Sequence, residues 1–132
     1  GVAASGQAFQ FDGVDDYISV PDHPSLNITN QFSFDAWIKP NAIGGTIQSI
    51  IHKRNGDYLD DPYGFGILAN GRLAFVSSGD AAVATQSSSV IPAGVFTHVA
   101  VVVDFNANTV SFYINGVLDN LVTGYTYNPT AN

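Results

Sequence analysis

Residues 96–119, FTHVAVVVDFNANTVSFYINGVLD, constrain the fold of this chain more than any other segment. Residues 96–103 are almost wholly apolar and rich in β-branched side chains, which is typical of a strand covered on both faces. Residues 109–114 alternate apolar and polar side chains, and Asn115-Gly116 has the composition of a two-residue type I′ turn. The segment therefore predicts two long strands, a hairpin and a large antiparallel sheet.

The whole chain has the composition of one β-rich domain. Its 132 residues fit a single domain, 1–132, and 45% apolar residues are enough to build a hydrophobic core. Turn residues punctuate the chain about every 8–12 residues, as in a sandwich or barrel. No apolar run approaches membrane-spanning length, so we expect no membrane insertion.

The same patterns predict ten strands. They cover residues 7–12, 16–20, 31–38, 47–53, 63–69, 72–78, 82–88, 96–104, 109–114 and 117–122. Asn70-Gly71 predicts a second two-residue hairpin, which would pair Ala69 with Arg72. The two prolines of residues 21–26 predict a crossing between sheets with one turn of helix. Aromatic residues that alternate within strands are predicted to form the core: Phe9, Phe11, Phe32, Phe34, Trp37, Phe65, Phe75, Phe96 and Phe112.

Three segments together resemble a known family. Residues 9–20 (FQFDGVDDYISV), 32–40 (FSFDAWIKP) and 96–119 are similar, in order and spacing, to the laminin-G-like branch of the concanavalin A-like lectin/glucanase superfamily. The resemblance implies an all-β, antiparallel jelly-roll β-sandwich. It leaves the function open, because lectins, adhesion modules, pentraxin-like proteins and glycoside hydrolases share this scaffold.

The resemblance weakens near the end of the sequence. The family normally continues past the Asn-Gly hairpin with two closing strands, and no such pattern follows residues 125–130. We therefore expect a domain that is truncated or reduced at its C-terminus. The incomplete sheet would then either be filled by a neighbouring copy, which would make a homo-oligomer, or be closed in a different way.

The net charge and the cysteine content limit the classes of partner and the cellular location that we expect. A net charge of −7, with only four Lys plus Arg, argues against a nucleic-acid partner. There is no Cys, so packing or a bound metal must stabilise the domain without disulfides. An acidic, Asn-rich, lysine-poor β-protein is typical of an extracellular or cell-surface location.

The sequence predicts a noncatalytic protein. All 11 acidic residues are Asp, so the E-x-D-x-x-E strand of the related glucanases is absent. No predicted strand places two Asp on one face, as the paired carboxyls of a glycoside hydrolase would require. With no Cys and no G-x-S-x-G turn, the three histidines have no nucleophile to activate. His98, within an apolar strand, is expected to be structural.

The loop of residues 53–63, KRNGDYLDDPY, is the richest candidate site. Asp57, Asp60 and Asp61 offer the hard oxygen ligands that Ca²⁺ prefers. The loop also resembles the pentraxin segment that contributes an acidic pair to a calcium-dependent ligand site. The alternative interpretation is a solvated polar turn, since Asp favours turns through local backbone hydrogen bonds.

A second calcium candidate lies in residues 12–16, DGVDD. Asp12, Asp15 and Asp16 could ligate a metal ion, but Asp-Gly by itself also explains a tight turn between two strands.

A sugar-binding site would need exposed aromatic rings beside amide or charged groups. Tyr58 and Tyr63, together with Arg54 and Asn55, are the predicted ligand-binding residues in the 53–63 loop, and Tyr113 is a further exposed aromatic candidate.

These observations predict a noncatalytic extracellular binding or adhesion module, with carbohydrate as the ligand and calcium in support. A protein–protein interaction domain on the same scaffold is the main alternative, followed by a self-assembling unit and by a glycoside hydrolase.

Overall fold

The computed structural model describes residues 6, 8–54, 62–77 and 85–126. In these residues, one short 3-10 helix, Pro24–Leu26, precedes eight strands. The strands are β1 Gln31–Ile38, β2 Gln48–Lys53, β3 Tyr63–Ile67, β4 Arg72–Val76, β5 Thr85–Val90, β6 Thr97–Asp104, β7 Thr109–Ile114 and β8 Val117–Thr123. The predicted one turn of helix in residues 21–26 is confirmed.

The strands form two four-stranded sheets. One has the order β1-β6-β7-β8 and the other the order β2-β3-β4-β5, and every described strand pair is antiparallel. The core contains residues of both sheets, which pack face to face. The predicted fold class, an all-β antiparallel sandwich, is confirmed.

The inner faces of the two sheets meet in an aromatic cluster centred on Phe32. Its ring centroid lies 5.5 Å from that of Tyr63 and 5.7 Å from that of Phe75, both on the opposite sheet. Phe65, Phe75 and Phe112 are fully buried around it. Because aromatic side chains bury the largest apolar areas, this cluster supplies much of the hydrophobic stabilisation that holds the sheets together.

Strand β6 has one buried face, not two. Its residues alternate from Thr97 onward, so that Val99, Val101 and Val103 are fully buried while Val102 is 40% exposed. The prediction of a strand covered on both faces was therefore wrong. A run of β-branched residues satisfies both environments, because valine is tolerated on an exposed strand face as well as in a core.

The two Asn-Gly hairpins differ in loop length. Asn115 and Gly116 both have positive φ (51° and 78°), and Ile114 pairs with Val117, which confirms the two-residue turn. At Asn70-Gly71 the predicted register was wrong by one residue. Ile67 pairs with Leu73, and Leu68 donates its N–H to the Arg72 carbonyl across a three-residue loop.

The glycine explains this longer loop. Only Gly71 (φ 83°) takes the left-handed conformation there, as the last residue of a three-residue hairpin requires. The Asn70 side chain then accepts a hydrogen bond from the Arg72 N–H, 3.0 Å away.

In the described residues, the first two predicted strands, 7–12 and 16–20, are absent. Residues 8–12 and 16–20 carry no strand pairing and are exposed along their length. Phe9 and Phe11 are 79% and 44% exposed, so the prediction that they belong to the core was wrong. Their alternation has the period of a strand, but a strand also requires a neighbour to pair with. Of the predicted strand 82–88, residues 82–84 lie outside the described residues.

Side-chain hydrogen bonds close one side of the sandwich. Asp119 of β8 accepts the backbone N–H groups of Ser88 and Ser89 in β5, at 2.6 and 3.1 Å, and Asn120 donates to the Gln86 carbonyl at 2.8 Å. Partial burial raises the pKa of Asp119, but the hydrogen bonds from Ser89 and Ser88 and the charge of Arg72 outweigh that effect and lower it. In the described residues, β1 and β2 remain edge strands, with a hydrogen-bonded neighbour on one side only.

Candidate functional site

Only the ends of the predicted 53–63 site are described. Asn55, Asp57, Tyr58, Asp60 and Asp61 lie outside the described residues, so their assignment as ligand-binding and metal-binding residues stays a prediction.

Lys53, at the first end of this loop, holds the chain crossing in place. Its Nζ lies 2.9 Å from the Asp22 carboxylate and also donates to Asn27, and its side chain is only 10% exposed. The hydrogen bond from Lys53, with its positive charge, lowers the pKa of Asp22. Lys53 therefore fixes residues 22–27 against the end of β2.

Tyr63, at the other end of the loop, is a core residue. It is 3% exposed, its ring centroid lies 5.2 Å from that of Phe34, and its hydroxyl donates to the Leu26 carbonyl at 3.1 Å. Burial raises its pKa. The prediction that Tyr63 presents an exposed ring to a ligand was wrong, because β3 begins at this residue and turns its side chain inward.

Arg54 borders a shallow groove beside β2. The groove has a volume of about 690 Å³ and is lined by residues 45–54 in and around β2 and by residues 68–70 of the β3–β4 loop. Ile47, Ser49, His52 and Leu68 also contribute to its walls. Both polar and apolar side chains line it.

The three acidic residues of the second calcium candidate do come together. One carboxylate oxygen of each of Asp12, Asp15 and Asp16 lies within 4.8 Å of the others, and all three residues are exposed. Asp16 accepts the Asp12 N–H and Asp12 accepts the Val14 N–H, both at 2.8 Å. These local bonds are those of a polar turn, so both interpretations of this segment remain open.

The largest exposed ring on a sheet belongs to Trp37. It was predicted to be a core residue, but it is 67% exposed, so that prediction was wrong. In β1 the even-numbered residues Phe32 and Phe34 face the core, and the odd-numbered residues face outward. Trp37 is one of the odd-numbered residues and therefore lies on the outer surface of the β1-β6-β7-β8 sheet. We call this surface the outer face.

Two polar side chains flank the Trp37 ring. His98 pairs with Trp37 across the ladder, and their ring centroids are 5.4 Å apart. Asp35 lies two residues along β1 on the same face, 71% exposed, with its carboxylate 3.4 Å from the His98 Nε2. His98 therefore lies beside both the indole and the Asp35 carboxylate, and its structural role stays a prediction.

The Asn-Gly hairpin steadies this end of the sheet. Asn115 accepts the His98 N–H through its side chain at 3.1 Å and donates its own N–H to the His98 carbonyl at 2.8 Å. These two hydrogen bonds hold the His98 backbone beside Trp37, and the imidazole plane is tilted by 57° to the indole.

Other aromatic and apolar side chains extend the outer face. Phe96, predicted to be in the core, precedes β6, is 56% exposed and lies under the Lys39 ammonium at 5.5 Å, so that prediction was also wrong. Cross-strand pairing places Tyr113 of β7 and Leu118 of β8 on the same face, in line with Asp35 across the sheet. The outer face therefore combines three aromatic rings with charged groups at one end.

A signal for this site was present in the sequence. Once Phe32 and Phe34 are assigned to the core, the period of two places Trp37 and Asp35 together on the opposite face. Grouping all aromatic residues of the segment as core residues hid that alternation.

The chain was compared with known families once this geometry had been described. A sequence model of a laminin G-like family, described as the concanavalin A-like lectin/glucanases superfamily, matches residues 12–132. The chain belongs to this superfamily. No curated protein matches it.

Membership in the laminin G-like family places the chain among binding modules. Such domains generally lack catalytic activity and are typically extracellular. In the described part of the chain, no helix is long and apolar enough to cross a membrane.

Proposed function

We propose that this domain is a noncatalytic, extracellular carbohydrate-binding module, and that the sugar binds on the outer face with one ring stacked on Trp37. The observation that carries the proposal is an indole 67% exposed on a strand, next to His98 and to an exposed carboxylate on the same face. Large exposed aromatic rings are uncommon on a surface that has no ligand to cover them.

The chemistry of the outer face suits a pyranose. The C–H face of the sugar can pack on the indole, which is a large apolar surface. Asp35 accepts hydrogen bonds from hydroxyl groups, and the two residues that separate it from Trp37 along the strand correspond to about 7 Å. Lys39 supplies donors on the other side of the indole.

The spacing of carboxylates on this face supports binding without hydrolysis. Asp35 and Asp104 are the carboxylates that cross-strand pairing assigns to the described outer face, and they stand four residues apart in register, about 13 Å. Glycoside hydrolases need two carboxyls about 5–9.5 Å apart. Asp104 is also engaged with Gln31, at 2.6 Å, and with two backbone N–H groups.

Calcium assistance is part of the same proposal. The carboxylates of residues 12–16 and of the 53–63 loop are the candidate ligands, because Ca²⁺ takes six to eight oxygen ligands. The proximity of the Asp12, Asp15 and Asp16 oxygens supports the first of these segments.

The single tryptophan makes the test direct, since Trp37 is the only indole in the chain. Intrinsic fluorescence excited at the indole would be followed during titration with a panel of neutral, amino and acidic oligosaccharides. Binding at the proposed site predicts a saturable change in emission for one class of sugar. Affinity electrophoresis through the matching polysaccharide then predicts retention of the native chain and loss of retention for Trp37→Ala.

A matched control is available in Tyr17, an exposed aromatic residue (81%) outside the sheets. Tyr17→Ala should keep the retention of the native chain. If no sugar changes the emission, or if Trp37→Ala binds as the native chain does, the proposed site is wrong.

A protein ligand is the second candidate, and a specific observation favours it. Val102, Leu118 and Leu121 are 40–51% exposed and lie on the outer face by cross-strand pairing. Aromatic residues at the centre of an apolar patch are typical of protein interfaces. Leu121→Asp would weaken a protein complex that covers this patch, but it would leave sugar binding at Trp37 unchanged.

A further inference from the structure

A shallow depression of about 350 Å³ lies on the outer face at the start of β1. Four of the residues that line it, Gln31, Ser33, Val102 and Asp104, alternate with core residues of β1 and β6 and therefore point outward. Ser33 comes four residues before Trp37 on β1, which corresponds to about 13 Å along the strand. The depression and the indole are thus two separate places on one surface.

A row of polar side chains on β1 connects these two places. The outward-facing residues from the depression to the indole are Gln31, Ser33, Asp35 and Trp37, and all four are exposed. We call them the β1 strip. Its members follow one another at about 7 Å. The first three offer an amide, a hydroxyl and a carboxylate, which are the groups that hydrogen-bond to sugar hydroxyls.

The neighbouring strand leaves room beside the strip. Ala100 and Val102 of β6 pair with Asp35 and Ser33 and lie next to them on the outer face. The methyl group of alanine keeps the sheet surface low between Trp37 and the depression. On its other side, β1 is an edge strand in the described residues. A long ligand can therefore lie along β1 and contact the whole strip.

Hydrogen bonds position the Gln31 end of the strip. The Gln31 amide donates to the Asp104 carboxylate at 2.6 Å. Asp104 in turn accepts the backbone N–H groups of Asn106 and Ala107, both at 2.9 Å. These contacts give the Gln31 side chain a defined position, which lowers the conformational entropy that ligand binding would cost.

Charge limits the class of ligand. The Asp35 carboxylate is 71% exposed in the middle of the strip, and residues 31–37 contain no Lys or Arg. The whole chain carries a net charge of −7. A glycan with a carboxylate or sulfate on each sugar would bring like charges to Asp35, which is unfavourable. The strip therefore suits a non-acidic glycan.

We propose that the outer face binds an extended, non-acidic glycan chain that lies along β1, with one sugar ring on Trp37 and a later ring in the depression at Ser33 and Gln31. This inference rests on the proposed sugar site at Trp37 and specifies its ligand as a stretch of linear polysaccharide. Trp37 and Gln31 are six residues apart, about 20 Å along the strand. Several linked pyranoses are needed to span that length.

A course across the strands fits a glycan less well. The row of outward-facing residues that contains Ser33 continues through Ser111 to Leu121, and the row that contains Asp35 ends at Leu118. Both leucines are 51% exposed. Aliphatic side chains make no hydrogen bonds to sugar hydroxyls, so the polar groups on this face favour the direction of β1.

The test measures affinity against chain length. Linear oligosaccharides from cellulose, mannan and xylan, from the disaccharide to the hexasaccharide, would be titrated against the native chain by Trp37 fluorescence and calorimetry. For a series that binds, the Kd should fall at least about tenfold from the disaccharide to the hexasaccharide. Oligosaccharides of polymannuronate, the acidic counterpart of mannan, should bind at least about tenfold more weakly than those of mannan.

Matched pairs of substitutions test the direction of the chain. Gln31→Ala with Ser33→Val removes two polar groups of the strip and should weaken hexasaccharide binding at least about fivefold, while disaccharide binding at Trp37 stays unchanged. Thr109→Ala with Ser111→Val is the control, because cross-strand pairing places these residues in the same two rows on β7. The control pair should keep the length dependence of the native chain. Circular dichroism melts would verify that both variants are folded.

Each other outcome is decisive. A hexasaccharide that binds no more tightly than the disaccharide would overturn the extended chain and leave the sugar site at Trp37 standing. The same holds if only a branched or acidic sugar binds. Loss of the length dependence in the control pair, and not in the strip pair, would mean that the glycan crosses the strands. If no sugar of any class binds, both the inference and the proposed function are wrong.

Discussion

The face of the strand to which an aromatic side chain points decides its role in this protein. Phe34 and Trp37 are three residues apart on β1, yet one packs against Tyr63 in the core and the other is 67% exposed. Phe112 and Phe96 differ in the same way on β7 and before β6. A strand turns successive side chains to opposite faces, so aromatic content by itself says little about burial.

The first prediction compares these two phenylalanines. Phe112 is fully buried, so Phe112→Ala should leave a cavity and lower the free energy of unfolding by about 3–5 kcal/mol. Phe96 is 56% exposed, so Phe96→Ala should lower it by under about 1 kcal/mol. Urea unfolding of both variants beside the native chain measures the difference. Equal losses would mean that Phe96 is a core residue after all.

At the scale of elements, glycines on β3 set how strand β2 pairs with it. The β2–β3 ladder shifts register between Ser49 and Ile51. A Cβ built on Gly66 would lie 2.5 Å from the Gln48 carbonyl oxygen, and one built on Gly64 would lie 2.9 Å from a methyl group of Val76. The bulge therefore brings the β2 backbone closer to β3 than any side chain at position 66 would allow.

The second prediction follows from which atoms can move. Gly66→Ala should destabilise the fold by about 1–3 kcal/mol, because a backbone carbonyl in a ladder cannot shift without disturbing its own hydrogen bonds. Gly64→Ala should cost less, since the Val76 side chain can change rotamer. Thermal unfolding of the two variants measures the order, and a larger loss for Gly64→Ala would contradict this account of the bulge.

Within the part of the chain that the structure describes, the sandwich is closed on one side by contacts between the sheets and open on the other. Contacts between β5 and β8 join the two sheets, whereas β1 and β2 are edge strands. The outer face and the β2 groove belong to different sheets, so a ligand on one leaves the other accessible. The net charge of −7 favours cations and neutral polymers as ligands for either surface.

The third prediction concerns calcium, which acts on the stability of the whole domain. A metal that binds only the folded state at a hundredfold excess over its Kd stabilises it by about 2.7 kcal/mol. For a domain of this size, that corresponds to a rise of several degrees in Tm. Thermal melts with Ca²⁺ and then with a chelator should show this shift in the native chain.

Two sets of variants locate the metal. Loss of the shift in Asp60→Ala with Asp61→Ala would place calcium in the 53–63 loop. Loss in Asp15→Ala with Asp16→Ala would place it in the turn of residues 12–16. If the native chain gives no shift, calcium is not bound and the aspartates act as turn residues.

The sequence predicted the elements whose signals are local. The type I′ turn at Asn115-Gly116, the central strands and the one turn of helix at Pro24–Leu26 are set by backbone preferences that neighbouring residues carry themselves. The family was also predicted from motifs, and the match over residues 12–132 confirmed it.

Candidate sites were harder to predict, because proximity is not local. Of the residues chosen from the 53–63 loop, Tyr63 is buried, and five others lie outside the described residues. Trp37 and His98, 61 positions apart in sequence, meet only because β1 pairs with β6. Neither the composition of these strands nor the spacing of residues within them predicts that contact.

The sequence by itself determined that this chain forms a β-sandwich, since alternating apolar residues and turn signals need no distant partner to act. Only the tertiary structure decided which face of each strand is covered. Phe9 and Phe11 alternate as core residues do, yet they are exposed, because burial requires a neighbouring strand as well as an apolar side chain. A neighbouring strand comes from elsewhere in the chain, so the exposed outer face around Trp37 became visible only in three dimensions.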